Sequence, residues 1–82
     1  MHYVIKLTNG EEWEVPAEQS FQVLVGTTRQ MGAEREMKAP EMKELLSQLD
    51  DRGYRVHALR FKRESSKGQT VYRVVETVTE AS

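Results

Sequence analysis

Eighty-two residues, 38% of them hydrophobic and 30% charged, suit one folded domain with a solvated surface and leave no room for a deep internal cleft. The chain has no cysteine, which excludes a disulfide framework, a thiolate zinc site and a cysteine nucleophile together, and a small domain without such staples is expected in the cytoplasm. The formal net charge of −1 conceals a polarised chain: between Arg52 and Arg73, seven basic residues against Glu64 give +6, residues 1–51 carry −5, and Glu76 and Glu80 make the tail −2.

The first unit reads as a hairpin. Tyr3, Ile5 and Leu7 alternate with Val4, Lys6 and Thr8, and Glu11, Trp13 and Val15 alternate with Glu12 and Glu14. A two-residue Asn9-Gly10 loop would set Ile5 opposite Glu14 and mix apolar with acidic faces. A three-residue loop, Thr8-Asn9-Gly10, pairs Ile5 with Trp13 and Tyr3 with Val15, so every large apolar side chain shares one face. The second register is expected, with Gly10 in the left-handed region as a bulge.

Pro16 and Glu18 suit the first turn of a helix, and Phe21, Leu24, Val25 and Thr28 follow helical spacing. Phe21, Val23 and Val25 fit strand spacing equally well, and helix is the reading taken for about 17–31, capped by Gly32. Residues 32–39 have no period and read as a loop. Pro40 then opens a clearer helix, with Met42, Leu45, Leu46 and Leu49 at i, i+3, i+4 and i+7 and Gly53 as its expected cap. Two strands, about 54–63 and 70–78, follow around the loop Ser65-Ser66-Lys67-Gly68. That loop pairs Phe61 with Tyr72, Leu59 with Val74, Arg60 with Arg73 and His57 with Glu76. Tyr54, Val56 and Ala58 then fall on the basic face, which calls for a bulge near Ala58 or for cover on both sides.

The order β-β-α-α-β-β predicts an α+β domain, a four-stranded, mainly antiparallel sheet with one or two helices on one face. The longest apolar run, Val23-Leu24-Val25, is far too short for a membrane span, and the N-terminus has no signal-peptide pattern.

No catalytic constellation stands out. His2 and His57 are isolated, and a general base needs a positioned partner and a pocket. No ligand spacing for zinc or calcium occurs, and the five glycines form no phosphate-binding fingerprint. The chain is therefore expected to be no enzyme and to need no metal or cofactor. The informative feature is the basic hairpin, whose Arg55, Arg60, Lys62, Arg63, Lys67 and Arg73 are the candidate binding residues. Directly opposed cations are unfavourable unless an acidic group meets them. The bland reading is that they pair with the acidic half of the same molecule or of a second copy, giving a homodimer. The leading expectation is a non-enzymatic protein-interaction module that binds and modulates or inhibits a partner, in the style of phage or mobile-element accessory proteins. The runner-up is a small nucleic-acid-binding domain that follows phosphates with the 54–73 hairpin. Trp13 reads as core, or as an interface anchor if no helix covers it.

Overall fold

The computed structural model describes residues 1–27, 30, 32–49, 53–59, 65–66, 69–70 and 72–81. Its elements are β1 (His2–Leu7), β2 (Glu12–Pro16), β3 (Ser20–Gly26), β4 (Arg35–Lys38), α1 (Ala39–Gln48), β5 (Arg55–Leu59), β6 (Ser65–Ser66), β7 (Gln69–Thr70) and β8 (Arg73–Ala81). Six of the strands form one antiparallel sheet in the order β2-β1-β8-β5-β3-β4, and β6 pairs with β7 in a separate two-stranded ladder. The α+β class expected from the sequence holds. The four-stranded sheet and two helices expected within it become a six-stranded sheet, a separate two-stranded ladder and one helix among the described residues.

The N-terminal hairpin takes the register that the apolar alternation demands, with Tyr3 opposite Val15 and Ile5 opposite Trp13. The Leu7 amide donates to the Glu11 carbonyl at 3.0 Å and the Gly10 amide to the Leu7 carbonyl at 3.1 Å. Gly10 sits at φ +93°, a left-handed conformation that costs glycine nothing and a residue with a Cβ about 1 kcal/mol. Asn9 completes the turn: its side-chain oxygen accepts from the Glu11 amide at 2.9 Å and its amide group donates to the Glu11 carboxylate at 2.8 Å.

The helix expected over 17–31 is overturned. Residues 17–19 turn tightly, with the Gln19 amide donating to the Pro16 carbonyl, and Ser20–Gly26 is β3. Phe21 and Val23 face the core on a period of two, and the β-branched valines favour the pleat over a helix. Pro16 ends edge strand β2, where its missing donor is harmless, instead of opening a helix. The loop expected over 32–39 is mostly β4, paired with β3 from Ser20–Lys38 to Val23–Arg35. Gly32 caps no helix. Its amide donates to the Val25 carbonyl at 3.0 Å, and a Cβ there would lie 2.8 Å from that oxygen.

The second expected helix is present. Its Pro40 lies in the first turn, and the Glu41 carboxylate accepts from the Lys38 amide at 3.2 Å, as in a capping box. Met42 is fully buried, and Leu45, Leu46 and Leu49 pack on the core. The helix ends at the extended residue Leu49, so Gly53, at φ +83°, is not its cap.

The sheet is strongly curled. Pro16 and Ser20 are four Cα steps apart, a reach of at most about 14 Å. Their strands stand four places apart in the sheet, which in a flat sheet is about 19 Å sideways alone. The pairing is also staggered: β1 follows β8 over Val75–Ala81, whereas β5 meets it only over Arg73–Val75. Curl and stagger together bring the ends of β2 and β3 within reach, as in a sheet closing toward a barrel. Trp13 of β2 stacks on Phe21 of β3, with ring centroids 6.1 Å apart and planes 3° from parallel. The helix fills the concave side, against β8, β4 and β1. Trp13 is thus core.

Candidate interaction surface

The register of β5 against β8 decides which residues stand opposite the cations. Val56 pairs with Val75, His57 with Val74 and Ala58 with Arg73. Arg73 therefore stands opposite Ala58 and not Arg60, Val74 opposite His57 and not Leu59, and His57 does not face Glu76. The shift is two residues, so the faces survive while the partners change. The bulge expected near Ala58 lies instead in β8, where Lys6 faces Thr77 and Leu7 faces Val75, leaving Glu76 as the extra residue. Leu59 is buried although it is out of phase with buried Val56 and Ala58, so that end of β5 is covered on both sides.

Of the six candidate binding residues, Arg60, Lys62, Arg63 and Lys67 lie outside the described residues, as do Phe61 and Gly68. The remaining two do not converge. Arg73 shares the phase of core-facing Ala58 and reaches the rim of the concave side, where its guanidinium lies 3.7 Å from the Glu11 carboxylate. One cation of the hairpin is thus met by the acidic half of the same chain. Arg55 alternates with buried Val56 and lies on the outer face, exposed. Its guanidinium donates to the Tyr54 carbonyl at 2.9 Å, and no carboxylate among the described residues pairs with it.

Arg55 adjoins a feature the alternation of the sequence did not disclose. Tyr54 is 43% exposed, and of the described large hydrophobic side chains only Met1 is exposed as well. Tyr54 and Arg55 line a groove of about 400 Å³ where the end of α1 meets β5 and β8. Leu46, Leu49, Val56 and Val75 form its apolar part, and Thr8 and Glu76 its polar rim. The helical spacing of Leu46 and Leu49 was legible. Their meeting with Tyr54 depends on the curl of the sheet.

The outer face carries a second cluster. His57 lies between Leu24 and Val74 on the neighbouring strands, and burial holds its pKa below the ordinary 6.5. Tyr72 donates its hydroxyl to the Glu34 carboxylate, and burial, then that hydrogen bond and that negative charge, raise its pKa above 10.0. The contact ties the stretch before β4 to the start of β8. Beside it Glu34, Glu36 and Gln22 line a groove of about 340 Å³.

Among the described residues no three histidine, cysteine or acidic side chains are grouped to hold a metal ion, and no helix is long and apolar enough to cross a membrane. No family model, no curated protein and no solved structure matches this chain.

Proposed function

We propose that this chain is a non-enzymatic protein-interaction module that binds and modulates an acidic partner protein through the groove framed by Tyr54 and Arg55. The observation that carries the reading is an exposed tyrosine over an apolar floor, with the exposed Arg55 next to it at the start of β5. Tyrosine and arginine are enriched among the few residues that dominate protein interfaces, because the ring and the arginine stem bury apolar area while the guanidinium selects a carboxylate. Arg55 also belongs to the segment of charge +6, whose field favours an acidic partner during encounter. Affinity capture from native extract with wild-type chain, Tyr54→Ala and Arg55→Ala tests it. A protein partner that survives nuclease and is lost from both variants supports the reading. A partner retained equally by all three refutes this site.

The same charge segment motivates a second reading, a nucleic-acid contact made by the basic hairpin with Tyr54 available for stacking. On that reading affinity for nucleic acid falls steeply between low and physiological salt, and captured partners vanish with nuclease. Salt-insensitive binding, or none at low salt, removes it.

A further inference from the structure

The two edges of the sheet are not equivalent. On β1 and β2 the hydrogen-bonded pairs include Leu7–Glu11 and Met1–Ala17 at either end of an unbroken register. Antiparallel ladders alternate, so Ile5–Trp13 and Tyr3–Val15 are hydrogen-bonded and the main-chain groups of Glu12, Glu14 and Pro16 point away from the sheet. Pro16 has no N–H, and its carbonyl accepts from Gln19. The open ladder of β2 is therefore the N–H and C=O of Glu12 and Glu14. On β4 the Val25 carbonyl, directed to that side by its bond from Gly32, sets the phase and leaves Glu36 and Lys38 facing outward. The Lys38 amide is already taken by Glu41, and its residue caps α1. On the β4 edge the helix takes the Lys38 amide and leaves Glu36 alone fully open, whereas β2 stays open over two alternate residues.

Both open residues carry carboxylates. Glu12 and Glu14 alternate with buried Trp13 and Val15, so their exposed side chains share the outer face. Glu12 lies 3.8 Å from Lys6, whereas Glu14 faces Val4. A strand adding to this edge would form hydrogen-bonded pairs with Glu12 and Glu14 and set its own residues i and i+2 beside the two carboxylates. Acidic strands are repelled there and neutral ones gain nothing, while lysine or arginine at both positions is favoured.

We infer that the β2 edge is a strand-addition site selective for an extended basic segment of a partner protein, with Lys or Arg at i and i+2. It is separate from the Tyr54–Arg55 groove and does not depend on it.

The test is amide NMR of the full chain titrated with a short peptide alternating lysine and threonine, against a peptide of the same composition with its lysines in one block. The alternating peptide should bind about tenfold tighter, the effect of two favourable cross-strand pairs. It should slow hydrogen exchange at the Glu12 and Glu14 amides and leave the already bonded Trp13 amide unchanged. The double variant Glu12→Lys, Glu14→Lys should lose this binding and accept a peptide alternating glutamate and threonine. Glu14→Gln, a milder change at an exposed position, should weaken the lysine peptide in the same direction. Equal binding of the block peptide, or slowed exchange elsewhere than at these two amides, overturns the proposal. Protection of both amides in the free chain that rises with protein concentration would assign the edge to a second copy and overturn it as well.

Discussion

Two of the antiparallel pairings, β1–β2 and β5–β8, differ in what sets their register. In β1–β2 the turn does it: three residues, one left-handed glycine and an asparagine that grips Glu11 fix the pairing through local contacts. In β5–β8 the partners are far apart along the chain, and the pairing is fixed by what it buries, Val56 beside Val75 under the helix. Local chemistry is legible in a sequence because it needs only neighbours. A register set by packing is not, because the neighbours are supplied by the fold.

The largest effect should come from the contact that closes the curl. Trp13→Ala removes the stack on Phe21 and leaves a cavity between β2 and β3, with a loss of about 3–5 kcal/mol in denaturant unfolding. A loss under about 1 kcal/mol would mean that the curl does not depend on this pair. Gly32→Ala comes next, because its Cβ would press on the Val25 carbonyl. A cost of about 1–3 kcal/mol is expected. Gly10→Ala should cost about 1 kcal/mol through strain alone, since nothing lies within 4 Å of the added methyl group. Comparing these two glycines separates turn strain from packing, the distinction between the two pairings.

The pH dependence sharpens the same contrast. His57 is held neutral on the packing-defined side, so the stability it contributes is present above pH 6.5 and is lost as pH falls through its lowered pKa. His57→Gln should flatten the stability profile on the acid side. Tyr72 is favoured neutral, so its contribution is present below pH 10.0 and is lost as pH rises through its raised pKa. Tyr72→Phe should remove that alkaline slope. The smallest effect belongs to Arg73→Ala: its pair with Glu11 is half open to solvent, and the loss should stay below about 1 kcal/mol and shrink with salt.

The N-terminal hairpin was legible down to its register, and the helix beginning near Pro40 was legible from its leucine spacing and its proline. The stretch from Pro16 to Lys38 was not. Phe21 and Val25 satisfy both periods, Leu24 completing the helical one and Val23 the alternating one, and only the pairing of β3 between β4 and β5 decides for the strand. The candidate surface was legible in part. The charge polarity named Arg55 and Arg73, and alternation already sets them on opposite faces; what it cannot detect is the two-residue shift that puts Arg73 opposite Ala58. In the sequence Tyr54 stands out only as part of the basic face, because Leu46 and Leu49 reach it through the fold and not through the sequence.

The most direct measurement places a photo-crosslinking residue at Tyr54 and, separately, at Thr79, which is exposed on β8 away from the groove. Both chains are irradiated in native extract. A defined protein adduct is expected from position 54 and none from position 79. The same adducts from both positions, or adducts from 79 alone, would contradict the proposed site at Tyr54.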